Sequence, residues 1–240
     1  MARRRRGSSK NRLITVAIIA VAVVAGLAFG MIDLDDLMDL AGPANNSMGT
    51  SETGNPDEAS EALAALEVAP SGSMAGYSRE DFPHWSDAEE FGWSVPDDAC
   101  DARDAALIRD GEGVEVGEDC DIESGEWTDP YAGETLTDSS SVDIDHIVPL
   151  ANAWRSGADE WDESLREEFA NAPEVLLSTD SGENRSKGDR GPEAWRPPDQ
   201  RSWCDYSIRW ISVKSSYELS VNEQERAALE EMLSTCEASQ

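Results

Sequence analysis

Leu13 to Ile32 is one apolar run, broken only by Thr15 and two glycines. Twenty residues at helical rise span about 30 Å, one bilayer core. Arginines precede the run, and Asp33, Asp35, Asp36 and Asp39 follow it. Basic residues stay on the cytoplasmic side, so residues 1–12 are expected inside and the rest of the chain outside. Residues 13–32 read as a single-pass anchor in the cell membrane, with a cleaved signal and a secreted product as the alternative. Residues 33–76 are polar, acidic and without an aromatic side chain. They read as a disordered tether, because such a segment buries too little apolar surface to offset its chain entropy. Glu58 to Leu66 has helical spacing, but nothing in the sequence suggests a partner for it.

Patterning changes at Tyr77. All 8 Trp, all 4 Tyr and all 4 Cys follow, which marks residues 77–240 as the folded domain. Cys120 to Leu136 predicts a β-hairpin around Asp129-Pro130 and Ala132-Gly133. Val142 to Val148 alternates apolar residues with Asp143 and Asp145, which predicts a strand with one wet face. Leu150 to Trp154 and Glu163 to Phe169 predict helices. Val175 to Leu177 is a short buried run, followed by a polar loop over Ser178 to Glu183. Trp203 to Tyr217 predicts a helix. Ser220 to Glu223 has the form of a capping box opening another helix toward Cys236. Strands followed by helices make the class α+β.

Charge adds a further constraint. The chain carries 19 Lys and Arg against 50 Asp and Glu, a net −31. Six of the basic residues lie in the first 12 positions, so the remainder is more acidic still. Such a field repels polyanions and excludes general, field-driven nucleic-acid binding, though not a local site. One stretch runs the other way. Residues 185–214 hold seven basic residues, among them Arg185 and Lys187, against four acids. Trp195 and Trp203 lie within it and read as core packing ahead of base stacking.

Four cysteines allow three pairings. In an exported chain two disulfides are expected, and Cys100–Cys120 with Cys204–Cys236, each closing a local loop, is the preferred set. No CxxC spacing supports zinc.

Two histidines are available for chemistry. His84, in Phe82-Pro-His-Trp85, reads as a packing residue. His146, in Asp143-Ile-Asp-His-Ile-Val-Pro-Leu150, shares the end of a strand with Asp145. Neighbouring strand residues face opposite ways, so the two can serve one site only where the strand ends, as Pro149 allows.

Asp145-His-Ile-Val-Pro149, followed by Asn184-Arg-Ser-Lys-Gly-Asp189, resembles an HNH nuclease motif of the ββα-metal fold. The wider series adds Cys100-Asp-Ala-Arg103, Ser124 to Tyr131, Trp195-Arg-Pro-Pro198 and the Cys204/Cys236 ending. It resembles an exported actinobacterial HNH family related to the C-terminal domain of GmrSD restriction enzymes, over residues 77–240. The resemblance implies a ββα-metal core with additional helices, and metal-assisted hydrolysis of phosphodiester bonds in DNA ahead of RNA. His146 would be the general base. Asp145 and Asn184 would hold one Mg²⁺ or Mn²⁺ ion through hard oxygen ligands. Lys187 and Arg185 would contact substrate phosphate, while Asp143 reads as a surface residue. The middle asparagine that braces such sites is out of register, with Asn171 nearby. No obligate protein partner is inferred. The alternative is a non-catalytic cell-surface binding module on the same scaffold.

Overall fold

The chain begins its folded course earlier than its composition suggests. In a computed structural model that describes residues 54–236, helix α1 spans Pro56–Ala65. Asn55 caps it by accepting the Asp57 N–H, Pro56 occupies its first turn, and Leu63 is 2% exposed. It packs against two later helices, α6 (Trp203–Ser216) and α7 (Glu223–Leu233). Residues 67–72 then run as a strap. Val221 N–H donates to Glu67 O, Ala69 N–H to Val221 O and Gly72 N–H to Arg155 O. The expected tether thus differs from the structure over residues 54–76. Few apolar residues were needed, because Ala59 and Leu63 find a surface that the local sequence does not announce. The expected anchor and residues 33–53 lie outside the described residues. Among the described residues no helix is long and apolar enough to cross a membrane.

Helix α2 (Ala102–Asp110) opens on a capping box between Asp101 and Asp104. It leads into a three-stranded antiparallel sheet of β1 (Gly111–Val116), β2 (Ile122–Thr128) and β3 (Thr135–Leu136). The expected hairpin is β2–β3, with Trp127 opposite Leu136. Strand β4 (Val142–His146) pairs antiparallel with β5 (Leu176–Asp180), setting Asp145 opposite Leu177 and His146 opposite Leu176. Between them run α3 (Leu150–Arg155) and α4 (Glu163–Asn171). Helix α5 (Ser181–Lys187) follows β5 directly and packs on both strands. The expected polar loop over Ser178–Glu183 is therefore the end of β5 and the start of α5. Its polar side chains are used as caps, with Asp180 accepting the Gly182 and Glu183 N–H groups.

The β4–β5 pair stands between two hydrophobic clusters. Val142, Ile144 and Leu176 face a smaller one with Trp127 and Leu107. Leu177 faces a larger one built from α1, α3, α4, α6 and α7. This explains why β4 has no wet face: Asp145 and His146 are each 4% exposed. The last helix is capped by Asn222 with Glu225, two residues beyond the expected box. Disulfides join Cys100 to Cys120 and Cys204 to Cys236, with Cα separations of 5.1 and 5.0 Å, as preferred.

Candidate active site

At the end of β4 the two faces of the strand carry different chemistry. Asp145 points toward α5, where Lys187 Nζ donates to both carboxylate oxygens at 2.9 and 2.7 Å and to His146 O at 2.9 Å. Tyr131 Oη donates to the same carboxylate at 2.6 Å. Three ammonium protons meet three acceptors, so none remains for a ligand. Burial pushes the Asp145 carboxyl up and the Lys187 ammonium down, and each partner's opposite charge works against that shift. Gly188, at φ 58°, ends α5 in a conformation that costs glycine little and places Lys187 in the last turn. The β2–β3 turn is fixed to the same strand pair. Buried Asp129 accepts from Ala132 N–H, Asp180 N–H and Thr179 Oγ1.

His146 points the other way. Its Nε2 lies 3.0 Å from Ala170 O. A carbonyl only accepts, so Nε2 carries the proton and the lone pair of the neutral ring is on Nδ1. Burial, first among the causes, lowers its pKa to about 3, and the nearby charges of Arg79, His84 and Lys187 act in the same direction. At neutral pH the ring is therefore a free base.

His84 is brought alongside it. The two imidazole centroids are 6.3 Å apart at 84°, and the Trp85 ring is 5.9 Å from His146. His84 Nδ1 donates to Phe82 O at 2.8 Å. Trp85 sits at φ 64°, a left-handed backbone conformation that bulky residues rarely adopt. Asn171 holds this bend. Its Nδ2 donates to Pro83 O at 2.9 Å and its Oδ1 accepts Ser86 N–H at 3.0 Å. Trp93 Nε1 donates to Asn171 O at 2.7 Å. Residues 170 and 171 therefore orient both histidines. Neither the placement of His84 nor the brace was legible from spacing, because 62 positions separate the histidines and contact across that span is a product of the fold.

A cleft of about 230 Å³ opens here, lined by Tyr77, Arg79, His146, Pro149, Asn184 and Asp189 among others. Asp145 and Asn184 both border it, but no hydrogen bond joins them. The Asn184 amide instead faces Asp143, Nδ2 to Oδ2 at 3.4 Å. Asp145 borders the cleft but accepts two bonds from Lys187 and one from Tyr131, three of a carboxylate's roughly four sites, which leaves it little capacity for a cation. Asp143 and Asn184 face each other with oxygens less engaged. A half-turn of the amide sets its oxygen toward the Asp143 carboxylate, and a hard cation that keeps several waters needs only one or two protein oxygens. Among the described residues no group of three or more His, Cys, Asp or Glu side chains forms a metal cluster.

The basic stretch is mostly spent internally. Lys187 is paired with Asp145, Arg196 with Glu231, Arg201 with Asp199 and Lys214 with Glu225. Lys187, fully buried, is not placed to meet a phosphate, whereas Arg185 is exposed. Trp195 is 8% exposed and packs against Tyr131 and Tyr206, a core role.

The family of GmrSD restriction endonucleases, C-terminal domain, matches residues 103–232, a span holding Asp143, Asp145, His146, Asn171, Asn184 and Lys187. The chain belongs to that family. It is also 48% identical over 177 residues to an uncharacterized secreted protein of the fungus Arthroderma benhamiae, covering 72% of this chain and 82% of the relative. The expected actinobacterial source has no support, since that relative is fungal. No solved structure matches the chain. Tyr77 and Arg79, which line the cleft, precede the matched segment, as does His84 beside His146, so the family span alone does not contain the whole cleft.

Proposed function

We propose that the chain is an HNH-type endonuclease that hydrolyses phosphodiester bonds of nucleic acid, DNA ahead of RNA, outside the cytoplasm. The observation that carries this reading is His146: a neutral imidazole with Nε2 fixed by Ala170 O and the lone pair of Nδ1 unspent, bordering a polar cleft. Family membership supports the reaction class. Strands β4 and β5 pair antiparallel with α5 packed on both, which supports a ββα-like unit in space, with α3 and α4 inserted between the two strands. His146 Nδ1 takes the proton of an attacking water. Asn171 and Ala170 hold the loop and ring that frame it. Asp145 and Lys187 lock α5 to β4 and so place Asn184 at the cleft. Arg185 and Arg79, both exposed, are the cations that meet the phosphate backbone.

Asp143 and Asn184 are the residues that would hold Mg²⁺ or Mn²⁺, and a cation there supplies charge stabilisation for the scissile phosphate. Two disulfides suit an oxidising compartment, and the fungal relative is described as secreted. The run 13–32 would direct export, as a removed signal or as a retained anchor. The strongly acidic surface implies that substrate approach is helped by salt, which shortens repulsion to about 10 Å at 0.1 M. A binding module remains the second reading, favoured by one observation: Lys187 neutralises the acid of the Asp-His motif. Nicking of supercoiled plasmid by the full chain, with Mg²⁺, Mn²⁺ and EDTA arms, separates the two. Nicking supports the nuclease, and retention of DNA without cleavage supports the module.

A further inference from the structure

We propose that His84 is a second catalytic residue, the proton donor to the leaving oxygen, set beside the His146 base. This rests on the nuclease reading above. Four observations carry it.

Each histidine is fixed by one backbone carbonyl through a different ring nitrogen. Phe82 O takes the Nδ1 proton of His84 and Ala170 O takes the Nε2 proton of His146. The nitrogens left for chemistry are thus Nε2 of His84 and Nδ1 of His146. Second, the two rings are neighbours, standing edge to face with centroids 6.3 Å apart, and the His146 ring borders the cleft. Third, the chain is held in an unfavourable shape to achieve this. Trp85 is in the left-handed region, and such strain persists only where the surroundings over-determine it. Asn171 provides that determination, gripping Pro83 O before His84 and Ser86 N–H after it. Fourth, the same N-terminal segment brings Arg79 to the cleft, where it makes no ion pair among the described residues. A residue that merely packs needs neither the carbonyl lock nor the strained bend, and His84 is only half-buried.

Water oxygen attacks phosphorus as its proton passes to His146 Nδ1. The bond from phosphorus to the leaving oxygen breaks, and that oxygen takes the Nε2 proton of His84, which enters the step as the imidazolium with its Nδ1 proton held by Phe82 O. The products are a phosphate monoester and an alcohol. His146 leaves protonated and His84 deprotonated, and exchange with solvent restores both.

The test compares full-length wild type, His84→Ala and His84→Gln on two substrates: supercoiled plasmid, whose leaving alkoxide needs a proton, and bis(p-nitrophenyl) phosphate, whose phenolate leaves without one. Melting curves accompany each variant. Both variants should lose about 10²- to 10⁴-fold on plasmid, with no comparable loss on the activated diester. Equal losses on both substrates, or no loss on either, would overturn the role of His84 while leaving the nuclease reading intact. Wild type inactive on both would remove the nuclease reading itself, and this inference with it.

Discussion

Lys187 Nζ lies 2.7 Å from Asp145 Oδ2, and the two side chains are 0% and 5% exposed. Such a pair contributes little net stability relative to an apolar pair of the same volume, but breaking it leaves one buried charge alone. Lys187→Met is therefore expected to cost about 3–5 kcal/mol in urea unfolding. Adding Asp145→Leu should restore much of that loss, although Tyr131 Oη then loses its acceptor. A single variant within about 0.5 kcal/mol of wild type would contradict the buried pair.

Disulfide Cys204–Cys236 closes a loop of 32 positions and fastens α6 to the end of α7. Removing it with Cys204→Ser and Cys236→Ser should cost about 3–4 kcal/mol by loop-closure entropy. Peptide mapping without reductant should find Cys100 with Cys120 and Cys204 with Cys236. A Cys100–Cys204 or Cys100–Cys236 peptide would refute the arrangement.

Acid sensitivity follows from His146. Its folded pKa of about 3 lies below the ordinary 6.5, so the unfolded chain takes up the proton first as pH falls. The stability this group contributes is complete above pH 6.5 and is lost progressively between 6.5 and about 3, at about 1.4 kcal/mol per pH unit. Burial raises the Asp145 pKa, which acts in the opposite sense at the acid end. Comparing wild type with His146→Asn cancels that shared contribution. Between pH 7 and pH 5 the wild type should lose stability more steeply, and parallel curves would show that His146 is not buried neutral.

Cation dependence distinguishes Asp143 from Asp145. Asp143→Ala and Asn184→Ala should move the Mg²⁺ activation curve of plasmid nicking to higher concentration with the melting temperature kept. Asp145→Asn, which removes the charge facing Lys187, should first lower the melting temperature. If Asp145→Asn shifts the Mg²⁺ curve while Asp143→Ala leaves it in place, the ligand assignment belongs to Asp145 after all.

Local pattern revealed much of the scaffold. The β2–β3 turn, β4, α6 and the two disulfides follow from alternation, turn residues and loop closure, because each is decided by neighbours in sequence. Helix α1 was not legible as a docked element, since two buried side chains, Ala59 and Leu63, gain their meaning only from α6 and α7. Strand β5 hid Ser178 and Thr179 in a polar run. Both are buried because Ala106 O and Asp129, from distant elements, accept their hydroxyl protons. Within the site, the Asp-His and Asn-x-x-Lys elements could be recognised as motifs, but the partner of each side chain could not. Lys187 reads as a phosphate contact until β4 is laid beneath α5 and Asp145 takes its charge. His84 reads as filler until Asn171 bends the chain beneath it.

His146 is proposed as the general base of a phosphodiester hydrolase. The most direct measurement is plasmid nicking by the full-length chain, wild type against His146→Ala, with melting temperatures recorded alongside. Wild type should nick, and the variant should lose about 10²- to 10⁴-fold while remaining folded. A folded His146→Ala chain that nicks at the wild-type rate, or a wild type that nicks no plasmid with Mg²⁺ or Mn²⁺, would contradict it.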